Sequence, residues 1–262
     1  KIKFVPLSAK DRFTALQSGE IDVLSRNTTW TLTRDASLGM HFVGVTFYDG
    51  QGFMVPKSLK VTSAKQLKGA TICVQSGTTT ELNLTDYFRT LGVEFTPQVF
   101  QDIDPTYQTY ESGACDAVTS DRSQLASRRT TMADPSAHLI LPDVLSKEPL
   151  GPVVPLGDDQ WFNVVKWVVF GLIQAEESGI TSANVADQVT ALTANPDSNP
   201  VVALLLGVSG GLGSYLALPD DWAVKAVTAV GNYGEIFDRN LGPATPLAIE
   251  RGLNAQWTDG GL

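Results

Sequence analysis

The chain has 262 residues, of which 43% are hydrophobic and 18% are charged, and it is long enough to bury the cores of two lobes. Its net charge of -9 at pH 7 disfavours a nucleic-acid partner, because a phosphate backbone would be repelled. The most apolar run, residues 161–173, contains Lys166 and is shorter than the roughly 20 residues that a membrane-spanning helix needs.

The first part of the chain alternates short strands with helices. The predicted strands are residues 2–7, 21–24, 70–74 and 115–119. The predicted helices are residues 9–18, 81–90 and 104–112. Residues 50–55 and 151–155 are extended and indicate two crossings between lobes, which permits a hinge.

Two segments of this region have the same pattern, residues 18–25 and residues 112–119. Each ends in a strand that runs directly into polar residues, 26–29 in the first case and 120–123 in the second. Ligands of open α/β sheets bind outside the carboxyl ends of the strands. The pattern therefore predicts two α/β units whose polar ends form a site.

The last third of the chain is predicted to be helical. Asp158 and Asp159 cap a long helix to Glu177, and the other predicted helices are residues 183–192, 200–206 and 219–238. The glycine-rich segment 207–213 lacks the Lys-Ser/Thr of a phosphate loop and is interpreted as a turn.

Cys73 and Cys115 are too far apart in sequence for a CxxC motif, and two histidines do not make up the usual zinc ligand set. We predict neither a metal nor a cofactor. One disulfide fits this cysteine count, and two buried thiols fit it nearly as well.

The segment 75–80 lies between a predicted strand and a predicted helix, where free backbone N–H groups favour an anion such as a carboxylate. The alternative is that Thr79 or Thr80 only caps its own helix. Arg34 and Asp121 offer a zwitterionic amino acid a partner for each of its charges, although Arg34 can instead pair with Asp35, and Asp121 with Arg122.

The runs 21–34, 74–78 and 115–121 resemble the polar amino-acid-binding proteins of ABC importers, in particular the general L-amino-acid-binding subgroup. The resemblance covers essentially the whole chain. It implies an α/β, two-lobed type II periplasmic-binding-protein fold with a two-strand hinge and extra C-terminal helices on lobe 1. Lobe 1 would comprise residues 1–54 plus 154–262, and lobe 2 residues 55–153.

The resemblance also implies roles for single residues. Arg34 would bind the ligand carboxylate, with Thr78 and Thr79 supplying N–H donors to it. Asp121 would neutralise the ligand ammonium, and the position of Asn27 would offer that ammonium a carbonyl.

Three further residues complete the implied site. Thr29 would contribute hydroxyl and backbone contacts. Gln75 and Ser120 occupy positions where relatives place the side chains that contact the variable part of the ligand. Both are neutral here, which predicts broad tolerance.

The function implied is binding of free L-amino acids and their delivery to the membrane subunits of an ABC importer, without chemistry. The location implied is the periplasm, after removal of a signal peptide. One alternative is a binding-impaired scaffold or signalling module of the same fold. A less favoured alternative is a dehydratase of this fold with Asp121 as general base, since neither His41 nor His138 suits that role.

Two expectations depend on this fold. Cys73 and Cys115 should form a disulfide, because each belongs to a predicted strand of one sheet, and neighbouring strands lie about 4.8 Å apart. The family's opening strand and helix do not precede Lys1, so residues 2–7 and 21–24 should be left with unpaired backbone groups. We therefore expect a homodimer through lobe 1 and weakened ligand binding.

Overall fold

The computed structural model describes residues 2–262, which form two units, one ending at Pro155 and the other beginning at Leu156. In the described part of the chain all strands belong to the N-terminal unit, whereas the C-terminal unit is helical. The lobe boundaries given above are a different division and stay a prediction.

The main sheet of the N-terminal unit is mixed. The parallel part consists of β3 (Thr71–Gln75) between β4 (Thr96–Phe100) and β5 (Ala117–Asp121). The long strand β2 (Phe47–Pro56) runs antiparallel to β5 and also pairs with β6 (His138–Ile140) and β7 (Lys147–Leu150). A separate two-stranded sheet pairs β1 (Met40–Phe42) with β8 (Val153–Pro155).

The central strand β3 is buried on both faces, and its three middle residues are all apolar. Ile72 and Val74 belong to one core cluster, while Cys73 between them belongs to another. This alternation follows from the two-residue period of a strand.

The predicted disulfide is confirmed. The sulfurs of Cys73 and Cys115 are bonded, with their Cα atoms 5.8 Å apart. Cys73 lies in β3, but Cys115 lies two residues before β5 rather than inside a strand. The bond therefore ties β3 to the segment that leads into β5.

Four helices flank these sheets: α1 (Arg12–Gln17), α2 (Thr79–Leu91), α3 (Ile103–Glu111) and α4 (Arg122–Arg129). The hydroxyl of Thr78 caps α2 by accepting a hydrogen bond from the N–H of Glu81. Helix α4 begins directly after Asp121, the last residue of β5. Both junctions lie at carboxyl ends of parallel strands.

Two strand predictions are wrong. Residues 2–7 form no strand, and Ile2 and Phe4 are largely exposed. Residues 21–24 contribute only a single antiparallel bridge, between Leu24 and Val153. Alternating apolar residues form a strand only where a neighbour accepts and donates backbone hydrogen bonds, and the described chain supplies no such neighbour at residues 2–7.

The C-terminal unit contains α5 (Asp159–Glu177), α6 (Val185–Ala194), α7 (Pro200–Leu205), α8 (Trp222–Val230) and α9 (Tyr233–Asn240). Asp158 caps α5 by accepting from the N–H of Trp161, as predicted. The single helix predicted over residues 219–238 is wrong. Gly231, with a φ of 81°, ends α8, and Asn232 and Glu235 form a capping box that starts α9.

The core of the C-terminal unit is formed by apolar side chains such as Ile180, Leu192 and Leu206. Across residues 2–262, the helices are all too short or too polar to cross a membrane.

Candidate ligand-binding site

A small polar cleft lies in the N-terminal unit, with about 280 Å³ of space including the part open to solvent. Its lining comes from the 26–29 segment, the β3–α2 junction, the β5–α4 junction and α1. The lining residues are Arg12, Arg26, Asn27, Thr29, Gln75, Thr78, Thr79, Thr80, Ser120, Asp121 and Gln124. The lining is almost entirely polar or charged, which suits a small polar ligand.

Seven of the eight predicted site residues line this cleft: Asn27, Thr29, Gln75, Thr78, Thr79, Ser120 and Asp121. Arg34 is not one of the described lining residues. It lies in a short π-helical turn, is 8% exposed, and donates from Nη1 to the carbonyl of Thr29 at 2.9 Å.

Thr29 is held firmly by the neighbouring strand. It forms an antiparallel bridge with Leu150, and the N–H of Trp30 donates to the carbonyl of Pro149 at 2.8 Å. Asn27 contacts the β5–α4 junction, where its amide donates to Asp121 Oδ2 and to Gln124 Oε1, both at 2.7 Å.

The β3–α2 junction places a helix N-terminus in the cleft. Thr78 caps the helix with its hydroxyl, which also donates to the carbonyl of Gln75 at 2.7 Å. The N–H of Gly77 donates to the Glu81 carboxylate at 3.0 Å. Capping and anion binding are therefore compatible here, because the cap uses the Thr78 hydroxyl and leaves the first N–H groups of α2 beside the cleft.

Asp121 is the buried carboxylate of the cleft, with 5% of its surface exposed. Its Oδ1 has no hydrogen-bond partner in the described structure. Burial, together with the nearby carboxylate of Asp49, raises the pKa of Asp121 to about 7, although the hydrogen bond from Asn27 acts in the opposite direction. A ligand cation at Oδ1 would favour the ionised form.

Three arginines lie close enough to influence one another. Arg12 is 2% exposed and donates from Nη1 to the carbonyl of Asn27 at 3.0 Å, while its Nε has no partner among the described residues. Burial, and then the charges of Arg34 and Arg26, lower the pKa of Arg12 to about 9. A buried positive cluster with an unpaired donor favours an anionic or carbonyl group of a ligand.

Glu148 stands next to the cleft, 1% exposed, on β7. It accepts hydrogen bonds from the hydroxyls of Thr29 and Thr79. Burial lowers the pKa of Arg34, and the negative charge of Glu148 acts in the opposite direction.

The sequence pattern did not indicate Arg12, Gln124 or Glu148, whereas Arg26 and Thr80 lie in the predicted polar segments 26–29 and 75–80 without having been assigned a ligand-binding role. Arg12 stands in an apolar-faced helix and Glu148 in a short extended segment, so each had the pattern of a solvated charge. Only tertiary packing buries them, and a single sequence carries no local signal for that.

Among residues 2–262 there is no group of three or more His, Cys, Asp or Glu side chains that could hold a metal ion. The cleft itself is lined by a carboxylate, two guanidinium groups, and several hydroxyls and amides. The cleft lies at the carboxyl ends of β3 and β5, where ligands of α/β sheets bind.

Comparison with known proteins gives the family. No family model matches the chain. The General L-amino acid-binding periplasmic protein AapJ of Rhizobium johnstonii is 54% identical over 264 residues, which cover 100% of this chain and 76% of that protein. The Glutamate/glutamine/aspartate/asparagine-binding protein BztA of Rhodobacter capsulatus is 52% identical over 262 residues, covering 100% and 76% respectively.

A solved structure, an ABC transporter / periplasmic binding protein from Brucella ovis with glutathione bound, is 53% identical and has a TM-score of 0.95. It matches 100% of this chain and 81% of that chain. The chain belongs to the family of periplasmic amino-acid-binding proteins of ABC transporters and has their α/β fold. These relatives are binding proteins by name.

Proposed function

We propose that this protein binds a free L-amino acid in the cleft of the N-terminal unit and delivers it to the membrane subunits of an ABC importer. The observation that carries the proposal is that the cleft is lined by two buried residues of opposite charge, Arg12 and Asp121, each of which has one side-chain atom without a hydrogen-bond partner in the described structure. A zwitterion would satisfy both. The periplasmic location follows from the family.

The α-amino acid group would be bound at one end of the cleft. Asn27 already donates to Oδ2 of Asp121, which leaves Oδ1 for the ligand ammonium. The backbone N–H groups of Thr78 and Thr79, at the start of α2, would receive the carboxylate. Arg34 as a direct carboxylate partner stays a prediction, which would require some of its remaining donors to turn towards the ligand.

Arg12 bears on the choice of ligand. Its unpartnered Nε favours side chains that carry a carboxylate or an amide carbonyl. Gln75, Ser120 and Gln124 are neutral and do not oppose other side chains. We infer a broad specificity with a preference for acidic and amide amino acids, in agreement with the ligands named for the Rhodobacter relative.

Glutathione is a second candidate, because the Brucella relative was solved with glutathione bound. Its γ-glutamyl end carries a free ammonium and carboxylate on one carbon, which is the group that Asp121 and the α2 N-terminus would recognise. It would therefore compete with amino acids for the same contacts.

Thermal unfolding with each of the twenty L-amino acids and with glutathione tests the proposal. A ligand that binds only the folded state adds about 2.7 kcal/mol to the free energy of unfolding at a hundredfold excess over Kd. D-enantiomers serve as controls. If neither the amino acids nor glutathione stabilise the protein, the scaffold alternative is favoured. If NMR shows that a ligand is chemically converted, an enzyme is favoured.

The homodimer through lobe 1 stays a prediction. Residues 2–7 and 21–24 do not form strands with unpaired edges, so these segments do not favour a dimer. Light scattering on protein of confirmed intact mass measures the oligomeric state directly.

A further inference from the structure

We propose that Glu148 is a positioning residue that fixes the hydroxyl protons of Thr29 and Thr79, so that both hydroxyls face the ligand as hydrogen-bond acceptors only. This inference rests on the proposed amino-acid-binding function. It assigns a cause to the preference of the cleft for an ammonium group.

The carboxylate of Glu148 is fully used by neutral donors. Oε2 accepts from the hydroxyls of Thr29 and Thr79, the latter at 2.8 Å. Oε1 accepts from the amide of Asn83 at 2.9 Å and from the hydroxyl of Ser146. An ionised carboxylate has about four lone-pair sites, so these four donors occupy it without any cation.

The consequence for the two threonines follows from the hydroxyl group itself. A hydroxyl has one proton and two lone pairs, and here both protons are directed to Glu148. The two Oγ1 atoms are 3.3 Å apart, and both residues line the cleft. They therefore present a pair of acceptor oxygens to a ligand.

Such an acceptor pair discriminates between ligand groups. An ammonium, with three N–H donors, can bind Asp121 and a threonine oxygen together. A carboxylate or a hydrocarbon at the same place leaves the oxygens unpaired, and an anion is also repelled. Glu148 thus contributes to ligand choice without touching the ligand.

Other contacts already place both threonines, which separates this role from simple support. Thr29 is fixed by its bridge to Leu150 and by Arg34 on its carbonyl. Thr79 is the first residue of α2, whose start is capped by Thr78. Removing the charge of Glu148 should therefore change the direction of the hydroxyl protons more than the positions of the residues.

The test uses two matched ligand pairs, L-glutamate with glutarate and L-alanine with propionate, and measures Kd by competition calorimetry. In Glu148→Gln the amide donates as well as accepts, so hydroxyl protons can turn to the cleft. We expect the preference for the amino acid over its analogue to fall about tenfold, which is the size of one hydrogen bond. Glu94→Gln, an exposed glutamate of the same unit, is the matched control and should leave the preference unchanged.

A double-mutant cycle identifies the path of the effect. The double variant Thr29→Val/Thr79→Val lacks both hydroxyls and should show a lower preference for the amino acid. Adding Glu148→Gln to this double variant should not lower the preference further. Thr79→Ser keeps a hydroxyl and should retain the preference. If Glu148→Gln does not fold, the valine pair alone decides.

The outcomes separate the two proposals. Wild-type protein that binds none of the amino acids overturns the proposed function before any variant is measured. Wild-type protein that binds L-glutamate or L-alanine, with an unchanged preference in Glu148→Gln or in the valine pair, overturns the role of Glu148 alone.

Discussion

The two units of the molecule differ in what they bury. Nearly all buried polar or charged residues of the described chain lie in the N-terminal unit, and the exceptions are Asn232 and Asn254. The C-terminal unit buries an apolar core of leucine, valine, isoleucine and alanine side chains. Burying polar groups costs stability unless each is paired, so the N-terminal unit carries this cost around its cleft and the C-terminal unit largely avoids it.

The sharpest test of this difference is Asp121→Asn. We expect ligand affinity to fall by roughly 2–5 kcal/mol, because the ligand ammonium loses its charged partner in a desolvated cleft. The free energy of unfolding of the ligand-free protein at pH 8 should rise, because a buried carboxylate with a raised pKa is removed. Calorimetry and urea denaturation measure the two effects, and a parallel loss of both would contradict the comparison.

Removing the disulfide tests whether the two units differ in stability. Cys73→Ala with Cys115→Ala should lower the free energy of unfolding by about 2–4 kcal/mol, since the bond closes a loop in the unfolded chain. The loss should concern the N-terminal unit, because both cysteines of the chain lie there. Hydrogen exchange resolved by segment measures this, with reduction of the wild-type protein as the matched treatment.

The pH dependence of binding gives the next largest effect. The pKa of Asp121 is raised from 3.8 to about 7, so the ligand-free carboxyl is largely neutral at pH 6 and ionised at pH 8. Affinity for an amino acid should fall about tenfold between pH 8 and pH 6, with proton release on binding near pH 7. Calorimetry in buffers of different ionisation enthalpy detects that proton, and Asp121→Asn should show neither effect.

The raised pKa of Asp121 also determines whether stability rises or falls with pH. Asp121 binds its proton more tightly in the folded than in the unfolded protein, so its contribution is fully present below pH 3.8 and is lost as pH rises through about 7. Ligand binding should reverse this loss.

The smallest effect belongs to the C-terminal unit. Asp158→Ala removes the cap that accepts from the N–H of Trp161 and should cost about 1 kcal/mol of stability. Ligand affinity should stay unchanged, because the cleft lies in the other unit. Asp158→Asn, which keeps a capping oxygen, is the control. A change in affinity for Asp158→Ala but not for Asp158→Asn would show that the two units are energetically coupled.

The sequence predicted elements best where local signals agreed with packing. The β3–α2 junction and helix α5 were found because strand period, capping residues and apolar spacing all coincide there. The strand predicted over residues 2–7 was wrong because alternating apolar residues do not by themselves supply a neighbouring strand. The helix over 219–238 was wrong because its apolar stripe continues across Gly231, whose positive φ interrupts the backbone.

The site was predictable to a similar degree. Short polar residues just after predicted strands, such as Asn27 and Asp121, are visible in one sequence and meet in the cleft. Arg12 and Glu148 make hydrogen bonds with residues distant in sequence, respectively Asn27 and Thr29. No local pattern encodes those contacts.

The ten-residue strand β2 sets the register of the two strands that carry Asp121 and Glu148. Asp49 is in register with Glu148 on one neighbouring strand, and Gln51 is in register with Asp121 on another. Inserting one residue between positions 49 and 51 would turn one of these alignments to the opposite face of the sheet. We expect natural and engineered variants to vary freely in length in the exposed segment 57–60 but to keep the length of β2 constant. In a library of single-residue insertions scored for ligand binding, insertions within β2 should abolish binding and insertions at 57–60 should retain it.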